Sequence, residues 1–373
     1  MPDFAFTEEQ DALRATVRRF CDERSGSTEV RRLMDTTEGF DPDVWKQLST
    51  ELGLTGIHIP EEEGGQGFGF AELTIVLEEM GRSLLCAPFY SSICLAANAI
   101  RNAGTPDERK ALLPPIAAGE LHAALALTEA DGRWDADGVT LEADGLMLSG
   151  TKTYVIDGHT ADLLVVVARQ TGTKGTDGIS FFTVPGDAVG LTRTPLDTLD
   201  MTRKQAEIVF DRVTATPLGQ PGAGWPALRK TLEQAAVCLA AECVGGSERT
   251  MDMAVQYAKD RYQFGRPIGS FQAIKHKCAD MLLRLESAKS AAYYAAWAAA
   301  DDNEELTVAS SLAKAYCTEA YFANSRENIQ IHGGIGFTYE HDCHLYYRRA
   351  KSSELLLGDP TYHRELIATK LGI

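Results

Sequence analysis

The sequence predicts a mainly α protein with a β-domain in its middle, and three observations predict it. Apolar residues recur at helical spacing in the first and last parts of the chain. In the clearest case Ile274, Cys278, Met281, Leu285, Ala288, Ala292 and Ala295 fall at alternating steps of four and three. Between those parts lie short apolar runs rich in branched residues, punctuated by Gly and Asp. The order helix, sheet, helix comes in blocks, which argues against a doubly wound parallel sheet. The blocks are assigned to residues 1–118 (helical), 119–222 (β) and 223–373 (helical).

In the first block, Thr7-Glu8-Glu9-Gln10 is a capping box that opens a helix. Trp45, Leu48, Leu52 and Leu54 lead to Gly56-Ile57-His58-Ile59-Pro60 and then to the Gly-rich stretch Glu61–Gly67. No Lys-Ser/Thr follows that stretch, so it is taken as a turn between helices and not as a phosphate loop. Helical spacing resumes through Leu73, Leu77, Met80 and Leu84, and again from Leu95 to Leu113. In the second block, Leu163–Ala168, Ile179–Val184 and Glu207–Phe210 are predicted strands. The third block holds a long helix from Leu239 to Asp260 and another that begins near Gln272. The alanines on the face described above suit close packing in a bundle.

The chain has 373 residues, 44% of them hydrophobic, enough for two or three packed units. No apolar run of about 20 residues offers a membrane span. The start, Met1-Pro2-Asp3-Phe4-Ala5-Phe6, lacks a basic region followed by an apolar core, so no secretory signal is expected. A net charge of −17 argues against a general nucleic-acid binder. The eight cysteines form no CxxC pair, and a reduced cytoplasm is the expected setting. His341, Cys343 and His344 stand together, but their spacing matches no closed zinc pattern, and no metal is expected.

Two glycine-bearing stretches carry the chemistry. The first is Arg261-Tyr262-Gln263-Phe264-Gly265-Arg266-Pro267-Ile268-Gly269-Ser270-Phe271-Gln272. An arginine fork beside a glycine turn and a helix start suits a pyrophosphate. The second is Gln330-Ile331-His332-Gly333-Gly334-Ile335-Gly336-Phe337, a helix ending in glycines. Each alone is ordinary; the pair is specific. With Trp45, Leu52-Gly53, Pro60-Glu61, Gly64-Gly65, Glu79-Met80-Gly81-Arg82, Leu127-Thr128-Glu129 and Lys152 in that order, the chain resembles the acyl-CoA dehydrogenase family over nearly its whole length.

That resemblance implies an N-terminal helical domain, a β-barrel-like middle domain and a C-terminal four-helix bundle. It implies FAD, an acyl-CoA substrate, electron-transferring flavoprotein as acceptor, and a dimer-of-dimers tetramer in which subunits share each FAD. By motif, Arg261, Phe264, Phe271, Gln272, Gln330, Gly333 and Gly334 reach the FAD of a neighbouring chain. Leu127, Thr128, Tyr154 and Ile156 face the flavin of the chain's own site. The implied reaction removes two hydrogens from an acyl thioester, a carboxylate taking the weakly acidic α-proton.

The implied base has two family positions. One lies just before the glycine that follows Arg348-Arg349-Ala350-Lys351, and here it is Leu357. The other lies about ten residues before a helix glycine matching Gly245, and here it is Ala235. Neither accepts a proton, so no catalytic residue is assigned; Glu233 and Glu354 are the nearest carboxylates. Other departures fall on the same flavin face: Trp134 replaces a serine, Tyr154 and Ile156 replace a Trp and a Thr, and Leu345 and Arg349 replace a basic and an acidic residue. Four readings stay open. They are a base-less subunit of a heteromeric enzyme, similar to actinobacterial steroid side-chain dehydrogenases; an active homotetramer with a displaced base; a structural protein without FAD; and a flavin oxidase or dehydratase.

Overall fold

A computed structural model describes residues 6–300 and 303–373. Residues Met1 to Ala5, on which the absence of a secretory signal was argued, lie outside the described residues. Eleven α-helices are described, with shorter π and 3-10 turns between some of them: α1 (Glu8–Arg24), α2 (Ser27–Met34), α3 (Pro42–Lys46), α4 (Phe70–Ser83), α5 (Asn98–Ala103), α6 (Pro106–Ala117), α7 (Trp225–Asp260), α8 (Gln272–Ala300), α9 (Leu306–His332), α10 (Cys343–Leu355) and α11 (Pro360–Leu371). The strands are β1 (Ala123–Ala126), β2 (Glu142–Asp144), β3 (Met147–Ile156), β4 (Leu163–Gln170), β5 (Ile179–Pro185), β6 (Leu191–Pro195), β7 (Gln205–Thr214), β8 (Thr216–Leu218), β9 (Tyr262–Gln263) and β10 (Arg266–Pro267). The mainly helical fold with a middle sheet is as the sequence predicts.

The chain divides into two compact units. One gathers residues up to Arg31, Phe70–Leu85 and Ala236–Ile373; the other holds Arg32–Gly69 and Cys86–Ala235. The predicted capping box is present at α1, where the Thr7 side chain accepts from the Gln10 N–H and the Gln10 side chain accepts from the Thr7 N–H. The Glu61–Glu63 stretch is a 3-10 turn closed by Gly64 at φ 85, a turn as expected. The three predicted strands are β4, β5 and the middle of β7.

In the second unit the sheet runs β6-β7-β3-β2-β4-β5-β8, with β1 paired parallel to β4. Its apolar side chains make one core, including Leu148, Val155, Leu164, Val166, Phe182, Ile208 and Phe210. The fully buried β4 explains why that run has no polar alternation.

In the first unit the predicted α8 face is the buried one: Met281, Leu285, Ala288, Ala292 and Ala295 are all in the interior. The Asn324 amide ties three helices together, donating from α9 to Ser247 Oγ of α7 at 2.9 Å and to the Met281 carbonyl of α8 at 3.0 Å. Helices α4 and α7 cross at two glycines. A Cβ on Gly245 would sit 1.7 Å from the Glu78 carbonyl oxygen, and one on Gly81 would sit 2.1 Å from the Glu242 carbonyl oxygen. No side chain fits where backbones approach this closely. Arg349, whose charge departs from the family pattern, is buried and pairs with Glu242 at 2.7 Å.

The crossing makes a measurable demand. Gly245→Ala is expected to lower the unfolding free energy by about 1–3 kcal/mol or more, as overpacking does. Gly26→Ala, whose Cβ meets nothing within 4 Å, is expected to stay within about 0.5 kcal/mol of wild type. Thermal and urea denaturation of the two variants makes the comparison; equal midpoints would contradict the crossing.

Candidate functional site

The candidate residues fall into two sets, one in each unit. In the second unit, Leu127 and Thr128 directly follow β1, and Tyr154 and Ile156 end β3. A buried cation joins the two segments. Lys152, with 0% of its surface exposed, donates from Nζ to the Leu127 carbonyl at 2.8 Å and to Glu129 Oε1 at 2.7 Å. Glu129 also accepts from the N–H groups of Thr140 at 2.9 Å and Leu141 at 2.8 Å, and from the Thr140 hydroxyl. Burial pushes Lys152 down to about 8. Glu129 is held below the usual carboxylate range: burial pushes it up, and Lys152 with the hydrogen-bond donors outweighs that.

The Thr153 N–H donates to the Thr128 carbonyl at 2.9 Å, and the Thr128 hydroxyl donates to the Thr153 carbonyl at 2.6 Å. The Thr128 hydroxyl is thus committed to the protein. The pairing of β3 with β7 shifts register between Lys152 and Val155, and within that bulge Tyr154 takes φ 57. The bulge leaves the Tyr154 ring 45% exposed, while Leu127, Thr128 and Ile156 are buried. The structure therefore brings Leu127, Thr128 and Tyr154 to one place beside Ile156.

In the first unit, β9 and β10 form a two-residue hairpin whose central residues, Phe264 and Gly265, have φ 54 and φ 76. Two left-handed residues in succession make a turn of the I′ kind, where Asn-Gly is the relaxed sequence and Phe is strained. The Phe264 ring stands 91% exposed on that turn. The Arg266 guanidinium lies 4.1 Å from the Phe271 ring centroid, and Phe264 meets Phe271 edge-on at 6.1 Å. Arg261 is exposed and has no carboxylate partner among the described residues. Its carbonyl accepts from the Ile268 N–H at 2.7 Å, which closes the hairpin.

The second motif ends α9, with Gly333 as the C-cap at φ 63. Ile331 packs into one core with Ala254, Ala258 and Met281, against which Ile268 and Tyr257 also pack. That core is what joins the two motifs. Gln272 begins α8, and Gln330 and Gly334 are exposed. At Gly265, Gly333 and Gly334 a Cβ would meet nothing within 4 Å, so backbone is open to a ligand at all three.

The two family base positions are both interior. Ala235 is buried in α7, and its carbonyl accepts from the Tyr90 hydroxyl at 2.9 Å. Leu357 is 3% exposed and left-handed at φ 63. The turn around it is held through backbone acceptors. Lys314 Nζ, from within α9, donates to the carbonyls of Glu354 at 3.1 Å and Gly358 at 2.8 Å. His363 Nε2 donates to the Leu357 carbonyl at 3.0 Å. Burial pushes Lys314 down to about 8 and, with Lys314 adding to it, His363 down to about 4. The nearest carboxylates are engaged elsewhere: Glu354 with Lys351 at 3.1 Å and Glu233 with Arg229 at 3.6 Å.

Sequence reasoning placed Glu129 and Lys152 in order without seeing that they meet, and it did not find Lys314 or His363. A lysine set among alanines in the helical third block was the available signal for Lys314. Nothing in local spacing pointed to His363.

Family models for the N-terminal, middle and C-terminal domains of acyl-CoA dehydrogenases match residues 7–120, 124–213 and 222–372. The chain belongs to the acyl-CoA dehydrogenase family. It is 33% identical to the acyl-CoA dehydrogenase IpdE2 of Mycobacterium tuberculosis over 95% of this chain and 94% of that one. Among solved structures, the ChsE4-ChsE5 complex from Mycobacterium tuberculosis superposes with a TM-score of 0.89 at 27% identity, covering 100% of this chain and 99% of that one. A variant of the Tcur3481-Tcur3483 steroid acyl-CoA dehydrogenase gives a TM-score of 0.88 at 30% identity over 98% of each chain. The acyl-CoA dehydrogenase fold and the oxidoreductase family expected from the motifs are therefore established, and the family is FAD-dependent. Among the described residues no helix is long and apolar enough to cross a membrane.

The buried Lys152–Glu129 pair gives a test of what shapes the flavin-facing set. Lys152→Met leaves the Glu129 carboxylate buried without its cation. It is expected to cost about 3–5 kcal/mol of stability, measured by urea denaturation. Lys152→Met with Glu129→Gln is expected to recover a large part of that loss. A single variant within about 0.5 kcal/mol of wild type would show that the pair holds nothing in place.

Proposed function

We propose that the chain works in FAD-dependent α,β-desaturation of an acyl-CoA thioester, as the subunit of a heteromeric enzyme that lacks the catalytic carboxylate. The observation that carries this reading is Leu357: a buried, left-handed leucine at one family base position, with Ala235 at the other. The engagement of Glu354 with Lys351 and of Glu233 with Arg229 supports it, because a displaced base needs a free carboxylate. ChsE4-ChsE5 and Tcur3481-Tcur3483 are, by their names, enzymes of two different chains. An acyl-CoA with a steroid side chain is the substrate class these relatives favour.

The residues present fit FAD unequally. Exposed Arg261, with no carboxylate beside it, suits a pyrophosphate. The 91% exposed Phe264 and the open backbone at Gly333 and Gly334 suit a cofactor laid against them, with Phe271, Gln272 and Gln330 completing that surface. FAD, when bound, supplies the hydride acceptor of the reaction. The flavin-facing set offers less: Ile156 has no hydroxyl, the Thr128 hydroxyl is spent on Thr153, and Tyr154 stands where the family has Trp. We therefore assign the retained half to a partner chain's FAD, and the proton-accepting carboxylate and the acyl-CoA to that partner's site. The division into 1–118, 119–222 and 223–373, a cytoplasmic setting, and electron-transferring flavoprotein as acceptor complete the reading.

Co-expression with a homologous chain that carries a base, followed by native mass spectrometry and flavin quantitation, tests it. A mixed tetramer with about one FAD per two chains is expected, and the chain purified alone is expected to turn over far below the ordinary range of about 1–1000 per second. A homotetramer with one FAD per chain and ordinary turnover would overturn it. In the mixed assembly, Arg261→Ala is expected to weaken FAD retention by about 10- to 150-fold, equivalent to about 1.5–3 kcal/mol for a lost charge-assisted bond. Unchanged retention would remove Arg261 from the site.

A further inference from the structure

We propose that His332, His341 and Cys343 form a binding site for a zinc-type divalent cation, which clips the end of α9 to the start of α10. The site stands on its own geometry and does not depend on the functional reading above. Local spacing around His341 and Cys343 matched no zinc pattern because one ligand comes from elsewhere. His332 closes α9, the turn Gly333–Phe337 follows, and Cys343 opens α10. Folding brings one ligand atom from each of the three residues within 4.8 Å of the others. Ligands on a tetrahedral zinc ion lie roughly 3.3–3.8 Å apart, given bonds of about 2.0–2.3 Å. Binding therefore requires the side chains to move, and His341 Nδ1 at present accepts from the Cys343 N–H at 3.3 Å.

The surroundings are those of a ligating histidine. His332 Nδ1 lies 2.8 Å from the Asn328 carbonyl, which only accepts, so Nδ1 carries the proton and Nε2 keeps its lone pair. The Tyr257 ring stacks on His332 at 4.2 Å and fixes its plane. The His332 and His341 rings lie 4.5 Å apart between centroids. Asn328, fully buried, makes no hydrogen bond from either side-chain amide atom to another protein nitrogen or oxygen, and it sits beside the Cys343 thiol.

Access also suits an ion. His332 and His341 line a cavity of about 660 Å³, together with Asp252, Asp260, Glu340 and Asp342 and with Arg249 and Lys259. It gives the ion a way in and room for a fourth, solvent ligand. On binding, the Cys343 S–H bond is exchanged for a sulfur–metal bond and the proton leaves to solvent. One thiolate and two neutral imidazoles leave the ion one positive charge.

The test uses the full chain without a histidine tag, handled anaerobically, with zinc and cobalt(II) as probes. Elemental analysis after dialysis against zinc is expected to give one ion per chain. Cobalt(II) is expected to give the visible bands of a tetrahedral site and a near-ultraviolet thiolate charge-transfer band. Cys343→Ser should abolish that band and weaken zinc binding at least tenfold, while Cys278→Ser, at the partly exposed cysteine, should leave both unchanged. His341→Asn, at a half-buried position, should also lose the ion and decides the matter if Cys343→Ser fails to fold. Zinc well below one per chain in wild type, or a cobalt spectrum that survives Cys343→Ser or His341→Asn, would overturn the proposal.

Discussion

A lysine ammonium buried out of water must be neutralised and fully hydrogen-bonded, and in the middle domain that demand falls on Lys152. The Leu127 carbonyl and Glu129 meet it. Glu129, buried in turn, needs the N–H groups of Thr140 and Leu141. One charge thus fixes the segment after β1, the start of the Leu141 stretch and β3 against one another. The Thr128–Thr153 bonds then set the backbone next to Tyr154 within a fraction of an ångström. Charged groups make this a stricter device than apolar packing, since a slipped register would leave an ion unpaired. Thr128 takes part in the clamp through its hydroxyl, whereas the Tyr154 and Ile156 side chains make none of these bonds.

The helical unit relies on a different constraint. Gly81 and Gly245 let the backbones of α4 and α7 touch, and the buried charges near that crossing are arranged around it. Arg14 and Arg18 of α1 reach Glu78 and Glu79 of α4. Arg349 of α10 reaches Glu242 of α7. A buried arginine would be an unpaired charge without such a partner, and here Glu242 compensates it.

Much of this was legible in the sequence. Helix faces follow from spacing, as in the run from Met281 to Ala295, and the buried strand β4 from its unbroken branched residues. Turn chemistry located the Phe264-Gly265 hairpin and the helix stop at Gly333. What stayed hidden depends on contacts between distant residues. The distance from Lys314 to the Leu357 turn, the meeting of His332 with Cys343, and the bulge that turns Tyr154 outward leave no periodic trace. The bulge in β3 also shifts the register, which moves the following side chains relative to the strand's faces.

The turn at Leu357 bears most directly on function, and its physics separates scaffold from chemistry. A leucine in the left-handed region costs about 1–2 kcal/mol, yet the turn is kept. Lys314 holds it through the carbonyls of Glu354 and Gly358, and His363 holds it through the carbonyl of Leu357 itself. All three acceptors belong to the backbone. No bond in the turn requires any particular side chain at position 357, so a carboxylate and a leucine can occupy the same frame. Burial favours the leucine, because an ionised carboxylate in that interior would have to find a cation or take up a proton, and Lys314 is already spent on carbonyls. The backbone frame at position 357 is therefore held independently of the side chain it carries.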